Sequence, residues 1–310
     1  MRVVRHLKAG ERPFHSPVVA LGNFDGLHLG HGAIVRRTLD RAADLGGQPV
    51  VFTFSPHPVA VLAPERAPSL ITSLAQRLYR LREAGLDGVV VQRFTPEFAA
   101  HTPREFVQRF LLAGLGAAVV VVGYNVTFGR DRAGTPDVLR SLGGELGFDV
   151  EVVDPLVLGT RKVSSSQVRK AIAAGDVDIA GELLGRLHEV RGIVRVGDRR
   201  GATIGFPTAN ILPRGGMLPP DGVYAVRVLI DGEPTRGGVA NLGTNPTFGG
   251  VGRRLETHVL DYNGDLYGRT IRVAFVQRLR GEVKFDGVDA LVAQIRADAE
   301  AARRIVAATS

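Results

Sequence analysis

The chain has 310 residues, of which 45% are hydrophobic and 23% charged, a balance typical of a folded protein with room for two domains. It contains no cysteine, which excludes disulfide bonds and thiolate metal sites. The charged start of the sequence lacks the apolar core of a signal peptide, and no apolar run is long enough to cross a bilayer. We therefore expect a cytoplasmic protein with no membrane partner.

The net charge of +8 raises the question of a nucleic-acid partner, because proteins that bind polyanions are often basic. The arginines are spread over both halves of the chain, without a run of five or more basic residues. A small substrate rich in phosphate groups would suit the same charge. We expect no nucleic acid among the partners.

The first half of the chain alternates short apolar runs with segments of helical spacing. Continuous apolar strands separated by helices indicate a parallel sheet covered on both faces, a Rossmann-like α/β domain. Strands are predicted at 18–21, 50–54, 88–94, 118–122 and 150–153, and helices at about 29–44, 70–84, 103–114 and 136–146.

A glycine-rich turn follows the first of these strands and leads into the first helix. It places His28 and His31 at the helix N-terminus, where free backbone N–H groups and the positive dipole end favour an anion. Gly30 lets the backbone come close to a bound phosphate. Such a site suits the charge that builds up on a phosphorus centre during transfer. Zinc binding by the two histidines is an alternative, although no third ligand is evident nearby.

Three consecutive serines at 164–166 form a second candidate for phosphate binding, because they precede a short helical segment. They offer capping oxygens, hydroxyl donors and a helix N-terminus in one place. The flanking Arg161, Lys162 and Arg169 add positive charge suited to a polyphosphate.

Beyond about residue 185 the pattern changes to short β-rich stretches separated by turn residues, which predicts an antiparallel barrel or sandwich. A terminal helix follows from residue 288, with apolar residues at helical spacing. The predicted domains are therefore 1–185 and 186–310. The predicted strands of the second domain are 189–196, 222–230, 235–241, 255–261 and 270–278.

The second domain contains a glycine-rich loop, 197–205, followed by Thr208 and Asn210. The free N–H groups of such a loop can wrap phosphates. A threonine hydroxyl and an asparagine carbonyl are hard oxygen ligands that Mg²⁺ accepts. The chain has neither a Walker loop nor a complete Gly-x-Gly-x-x-Gly string.

The motifs of the first half resemble those of the nucleotidyltransferase superfamily, in particular its flavin-nucleotide branch. The string 22–31 contains the superfamily's His-x-Gly-His hallmark, and its full length looks like the flavin-nucleotide branch. The stretch 163–169 is similar to the family's Ile-Ser-Ser-Thr-x-Ile-Arg motif, with Ser166 in place of threonine. His57 lies in a loop similar to Phe-x-Pro-His-Pro. Asn125 lies in one similar to Gly-x-Asp-Phe-x-Phe-Gly, where it replaces an aspartate.

This resemblance implies that the phosphate of FMN attacks the α-phosphorus of ATP, with His28 and His31 as the catalytic pair. It implies His57 and Asn125 at the flavin. The ATP-binding residues that it implies are Gly22, Phe24, Asp25, Gly26, His28, Gly30, His31, Arg161, Ser164, Ser165, Ser166 and Arg169.

The second half resembles riboflavin kinase domains, whose Gly-Phe-Pro-Thr-Ala-Asn hallmark stands at 205–210. Ala202 departs from the family, in which many members have arginine there. The resemblance implies that Glu256 is the base for the riboflavin 5′-hydroxyl and that Thr208 and Asn210 hold Mg²⁺. It also implies ATP contacts from Gly201, Thr203, Gly205, Pro207, Thr208 and Asn210, and flavin contacts from Lys284, Phe285 and Asp286.

The chain as a whole is similar to the bifunctional riboflavin kinase/FAD synthetases of bacteria. The expected reactions are phosphorylation of riboflavin to FMN and adenylylation of FMN to FAD and pyrophosphate, with ATP as co-substrate and Mg²⁺ as cofactor. The expected partners are these small molecules, and weak or transient self-association is compatible with the sequence.

Three alternatives stay open at this point. The first is a nucleotidyltransferase for another phosphorylated substrate, with a C-terminal domain that only binds flavin. The others are a basic, flavin- or nucleotide-sensing regulator that binds nucleic acid, and a purely structural basic protein.

Overall fold

The computed structural model describes residues 1–196, 201, 204–244 and 253–309. Internal packing divides the chain into a first unit, Met1–Ser164, and a second unit, Ser165–Ser310.

A parallel sheet of six strands forms the framework of the first unit, in the order β1-β4-β3-β2-β5-β6. Its strands are β1 (Arg2–Arg5), β2 (Val18–Leu21), β3 (Pro49–Ser55), β4 (Gly88–Arg93), β5 (Val119–Gly123) and β6 (Asp149–Val153). The five predicted strands are confirmed. The edge strand β1 is mostly exposed and carries charged side chains, so its sequence lacks the apolar run typical of the others.

Helices cover both faces of this sheet, because alternate residues of its strands belong to two separate hydrophobic cores. Val19 belongs to the core that contains Phe106 and Leu139, whereas Val18 belongs to the core that contains Ile34 and Leu81. The helices are α1 (Leu29–Asp44), α2 (Pro58–Leu62), α3 (Leu74–Glu83), α4 (Pro96–Ala99), α5 (Pro103–Phe106) and α6 (Pro136–Leu146), with a π-helix at Val107–Leu115 and 3-10 turns at Pro64–Arg66 and Arg130–Arg132. A small hairpin, β7 (Val157–Leu158) and β8 (Arg161–Lys162), follows β6.

The predicted helix bounds differ from the observed ones at two places. The helix predicted from residue 70 begins at Leu74, because Ser73 and Gln76 form a capping box there. The helix predicted at 103–114 is α5 continued by the π-helix. The helices predicted at 29–44 and 136–146 are confirmed as α1 and α6.

The strand order of this sheet reverses between β2 and β5. The chain leaves β2 through α1 toward β3 on one side, and it leaves β5 through α6 toward β6 on the other. In doubly wound sheets of this kind, ligands bind beyond the carboxyl ends of the strands at the reversal point. The glycine-rich turn at 22–28 and the loop at 124–135 both begin there.

The second unit contains a closed antiparallel barrel in the order β10-β13-β12-β11-β14-β9. Its strands are β9 (His188–Arg195), β10 (Ala209–Pro213), β11 (Gly222–Ile230), β12 (Arg236–Thr244), β13 (Arg253–Val259) and β14 (Thr270–Arg280). Its helices are α7 (Ser165–Ala174), α8 (Val177–Leu184) and α9 (Val288–Ala308). The barrel alternative of the two sequence predictions is therefore confirmed, and β10 is an additional strand within the glycine-rich motif.

The observed division of the chain precedes the boundary predicted between residues 185 and 186. Helices α7 and α8 pack on each other, and α8 packs on β14 and β9, so both helices cluster with the barrel. Across the described parts of the chain, every helix is too short or too polar to span a membrane.

His188 is a buried histidine that links β9 to the segment before β11. Its side chain is 2% exposed, its Nε2 lies 2.7 Å from the carbonyl oxygen of Met217, and its ring stacks on Phe275. Because a carbonyl only accepts, Nε2 carries the donated proton. Burial lowers the pKa of His188 from 6.5 to about 4, since the charged ring would lose its water.

We predict that the second unit loses stability as the pH falls from about 6.5 toward 4. In that window the unfolded chain binds a proton at His188 that the folded chain does not. The contribution of His188 to the free energy of unfolding is therefore fully present above the unfolded pKa and is lost as the pH falls toward 4. The full difference corresponds to about 3 kcal/mol. His188→Gln, whose amide can still donate to Met217, should flatten this part of the pH profile in urea unfolding followed by circular dichroism. The control is His15→Gln, at an exposed histidine; an equal effect of both variants would contradict the prediction.

Candidate active sites

The start of α1 is built around His28, which is the N-cap of this helix. Its Nδ1 accepts a hydrogen bond of 3.2 Å from the backbone N–H of His31, and its side chain is 6% exposed. Because Nδ1 accepts, the neutral ring carries its proton on Nε2. The histidine therefore caps the helix and keeps a fixed orientation at the positive end of the helix dipole.

The rings of His28 and His31 stack on each other at the reversal point of the sheet. Their centroids lie 3.7 Å apart with an interplanar angle of 17°, and the ring of Phe24 packs against His31 at 5.1 Å. A Cβ atom at Gly30 would lie 3.2 Å from both Nδ1 and Cε1 of the His28 ring. The structure thus brings the two predicted histidines together, and the lack of a side chain at Gly30 leaves room for the stack.

Asp25 lies inside the turn between β2 and α1, and its carboxylate is 1% exposed. It accepts hydrogen bonds from the backbone N–H groups of Ile71 (3.0 Å) and Thr72 (3.1 Å). The N–H of Gly26 donates to the Thr72 hydroxyl at 3.1 Å, and Gly26 has a φ of +81°, which favours glycine. These bonds tie the turn to the segment before α3. The ATP contact expected for Asp25 stays a prediction.

Arg77, a buried arginine on α3 that no sequence motif marks, contacts this turn. Its guanidinium group donates to the backbone carbonyl of Asn23, in the turn after β2, and to that of Phe54, near the end of β3. An arginine within an amphipathic helix is usually a solvent-facing residue, so its sequence context carries no sign of burial.

Gly22, the first residue after β2, donates its N–H to the carbonyl of Phe52 at 3.1 Å.

The two residues predicted at the flavin lie in loops that follow β3 and β5. His57 is the N-cap of α2, and its Nδ1 accepts from the N–H of Val59 at 3.2 Å. Asn125 is exposed in a turn closed by a bond of 3.0 Å from the N–H of Val126 to the carbonyl of Gly123. Both loops therefore begin at the carboxyl edge of the sheet.

The segment with Arg161 and Ser164 also lies near the start of α1. A Cβ atom at Gly30 would stand 3.6 Å from the carbonyl oxygen of Val163. The Lys162 ammonium group lies 4.2 Å from the centre of the Tyr124 ring, a cation–π contact between β8 and the loop after β5. The remaining predicted residues are on the first turns of α7, in the second unit: Ser165, Ser166 and Arg169.

Glu256 occupies the centre of a row of three strands in the barrel. On β13 it stands opposite Asn210 of β10 and Asn241 of β12. Its neighbours Leu255 and Thr257 are fully buried in the barrel, so Glu256 lies on the outer face. Directly opposed residues have Cβ atoms about 5 Å apart, so both amide side chains are within reach of the carboxylate.

The Gly-Phe-Pro-Thr turn is held beside this row by His258 on β13. His258 Nδ1 lies 2.9 Å from the carbonyl oxygen of Pro207, and the ring of Phe206 packs edge-on against it at 5.4 Å. A Cβ atom at Gly201 would lie 2.3 Å from the Phe206 carbonyl oxygen and 3.3 Å from Thr208 Oγ1. This turn therefore forms a narrow cradle that requires glycine at residue 201.

The other predicted ATP contacts of the kinase are divided between described and undescribed residues. Gly205 is exposed and has a φ of +85°, a conformation that favours glycine. Thr203 lies outside the residues that the structure describes, as does Ala202.

The loop at 281–287 approaches the same outer face of the barrel. Glu282 Oε1 lies 2.5 Å from the position that a Cβ at Gly243 would occupy, two residues along β12 from Asn241. The Arg280 guanidinium group lies 5.8 Å from the centre of the Phe285 ring. The three residues predicted at the flavin of the kinase all belong to this loop: Lys284, Phe285 and Asp286.

The side chains that the structure describes contain no cluster of three or more histidine or acidic residues arranged to hold a metal ion. A third ligand for zinc beside His28 and His31 is thus not found among them. Thr208 and Asn210 offer hydroxyl and amide oxygen atoms instead of histidine nitrogens or carboxylates. Such oxygen atoms suit a cation that also binds phosphate oxygens and water.

Comparison with known proteins finds matches to both halves of the chain. A family model described as FAD synthetase matches residues 11–167, and one described as riboflavin kinase matches residues 184–306. The proteins named bifunctional riboflavin kinase/FMN adenylyltransferase include one from Pseudomonas fluorescens, 42% identical over 99% of this chain and 98% of its own length. The protein of this name from Escherichia coli K12 is 38% identical over 100% of this chain and 99% of its own length. The one from Bacillus subtilis 168 is 37% identical over 93% of this chain and 92% of its own length.

A solved structure from Streptococcus pneumoniae, described as a macrolide-efflux protein, is similar over both units. It is 34% identical, has a TM-score of 0.88, and is matched over 98% of this chain and 99% of its own.

We predict that Asp25→Ala destabilises the first unit by about 3 kcal/mol, because two buried backbone N–H groups lose their acceptor. Urea unfolding with hydrogen exchange read on peptides of β2 and β3 measures this loss. The matched control is Asp44→Ala, at an exposed aspartate of α1, for which we expect a change within about 0.5 kcal/mol. Equal stability of the two variants would show that the Asp25 bonds contribute nothing.

Proposed function

The chain belongs to the family of bacterial bifunctional riboflavin kinase/FMN adenylyltransferases, and we propose how its side chains divide the two reactions. The N-terminal part is the FMN adenylyltransferase and the C-terminal part the riboflavin kinase, both with ATP as co-substrate. The domain order and the names of the relatives do not favour a C-terminal part that only binds flavin.

For the adenylyltransferase, we propose that His28 and His31 stabilise charge at the α-phosphorus of ATP. An FMN phosphate oxygen forms a bond to this phosphorus while the bond to the departing pyrophosphate breaks. FMN phosphate is already ionised near neutral pH, so the site needs no general base, and its task is to position two anions and neutralise charge. The stacked imidazoles at the N-terminus of α1, at the reversal point of the sheet, are the observation that carries this proposal.

Further ATP contacts are assigned by the motif alone. We propose that Arg161 and the serines at 164–166 bind the phosphates together with Arg169, and that His57 and Asn125 contact the flavin. The FAD synthetase match runs to residue 167, into α7, which supports their inclusion. We also propose that the adenylyltransferase domain extends through α8 to residue 185, and that the kinase domain covers 186–310.

For the kinase, we propose that Glu256 removes the proton of the riboflavin 5′-hydroxyl as its oxygen attacks the γ-phosphorus of ATP and ADP leaves. An alcohol is a weak nucleophile, so a carboxylate within hydrogen-bond reach is chemically appropriate. The position of Glu256 on the outer face, between Asn210 and Asn241, supports this role. The loop with Lys284, Phe285 and Asp286 approaches the same face and would contact the flavin.

Mg²⁺ is the cofactor that the kinase residues fit. The Thr208 hydroxyl borders the cradle at Gly201, and Asn210, two residues further along, lies opposite Glu256, so both offer hard oxygen atoms of the kind that Mg²⁺ binds. When bound, Mg²⁺ would neutralise charge on the ATP phosphates. Thr208 and Asn210 would hold it, whereas Glu256 would act on the hydroxyl.

The remaining expectations stay part of this proposal. We propose that the protein acts in the cytoplasm on riboflavin, FMN, FAD and ATP, without a nucleic-acid or membrane partner; weak or transient self-association is compatible with this proposal.

His28→Ala and His31→Ala should each lower FAD formation from FMN by about 10²-fold or more, because each removes a donor to developing charge. Phosphorylation of riboflavin by the same preparation should stay unchanged, and His15→Ala is the matched control. Both rates are measured by chromatographic separation of FMN and FAD in timed reactions. Loss of both activities in a folded variant would contradict two separate sites.

Glu256→Gln should lower FMN formation by about 10²-fold or more, because the amide cannot accept the hydroxyl proton. FMN supplied directly should still be adenylylated at the wild-type rate. Glu300→Gln, at an exposed position of α9, should leave both rates unchanged. Riboflavin phosphorylation by Glu256→Gln at the wild-type rate would exclude Glu256 as the base.

A further inference from the structure

Arg77 joins the turn that follows β2 to the carboxyl end of β3, the neighbouring strand of the parallel sheet. Its Nη1 lies 2.9 Å from the carbonyl oxygen of Asn23 and 3.3 Å from that of Phe54. It also lies 3.3 Å from the hydroxyl of Thr53, which itself donates to the Asn23 carbonyl at 3.0 Å. A single guanidinium nitrogen and one hydroxyl thus connect the turn after β2 with the end of β3.

This arrangement places a charge where water does not reach, since Arg77 is 4% exposed. Burial lowers the pKa of Arg77 from its ordinary value, and the negative charge of Asp25 partly offsets the effect. Asp25 keeps its own bonds to Ile71 and Thr72. Both charged groups are therefore buried away from water.

Stability alone is a poor explanation for this buried charge. Replacing buried ionic groups by apolar residues of similar size is often neutral or stabilising. The Nε atom of Arg77, moreover, is buried and makes no hydrogen bond among the described residues. The bonds that the group does make reach one carbonyl in the turn after β2 and one at the end of β3, and an apolar side chain could not hold either of them.

We propose that Arg77 is a positioning residue for adenylyl transfer. It holds the turn that leads to His28 and His31 at a set distance from the loop that carries His57, with Thr53 as the bridging hydroxyl. The inference rests on the proposed assignment of these loops to the adenylyltransferase site. A displacement of about 1 Å between reacting groups can lower the rate by about 10²-fold, so a small shift of one loop is sufficient.

The test compares Arg77→Met with Arg77→Lys in the full-length chain. We expect Arg77→Met to lower kcat for FAD formation from FMN by about 10²-fold, with a much smaller change in KM for ATP. Arg77→Lys should recover a large part of the loss, because the ammonium group keeps the charge beside Asp25 and can donate to both carbonyls. Riboflavin phosphorylation by the same chain should be unchanged in both variants.

Two further variants keep the test decisive if Arg77→Met folds poorly. Thr53→Val keeps the branched shape but removes the bridging hydroxyl, and we expect a loss in kcat of about tenfold. Arg82→Met changes an exposed arginine of the same helix and should leave kcat for FAD formation unchanged.

The outcomes separate this inference from the assignment on which it rests. Wild-type kcat per folded molecule in Arg77→Met and Thr53→Val would overturn the inference. The inference would also fail if the loss of kcat in Arg77→Met matched its unfolded fraction and Arg77→Lys did not recover the activity. If His28→Ala in the same assay keeps full FAD formation, the site assignment itself fails. If it abolishes FAD formation while Arg77→Met does not, only the role of Arg77 is wrong.

Discussion

The reversal of strand order between β2 and β5 is the constraint on which the first unit depends. Parallel strands end at one edge of their sheet. Where the connections after two neighbouring strands leave in opposite directions, a crevice opens between those connections. The N-terminus of α1 begins at this point, so the positive end of its dipole lies at the reversal of strand order. His28 is suited to this position because its ring both caps the helix and stacks on His31.

The barrel uses a different constraint, the alternation of side chains along a strand. Leu255 and Thr257 fill the interior, which forces Glu256 between them to the outer face. Antiparallel pairing places β10 and β12 on either side of β13, so that Asn210 and Asn241 flank the carboxylate. A packed interior and a polar site outside it follow from the same pattern.

Buried polar groups hold the loops that these two frameworks present. Asp25 and Arg77 fix the turn after β2, and His188 fixes the segment around Met217. Asp298 of α9 accepts from Arg280, the last residue of β14, at 2.7 Å and is 5% exposed. Each of these bonds joins residues far apart in sequence, because loops lack the regular ladder that satisfies the backbone of strands and helices.

The sequence by itself determined the elements whose signal is local. The apolar run at 18–21, the histidine turn and the bounds of α1 and α6 depend on neighbouring residues, and so do the motifs of both halves. The tertiary structure alone decided the edge strand β1, the flanking of Glu256 by Asn241, the burial of Arg77 and the packing of α7 and α8 with the barrel. These features arise from contacts between residues far apart in the chain, and neither periodicity nor composition encodes which distant segments meet.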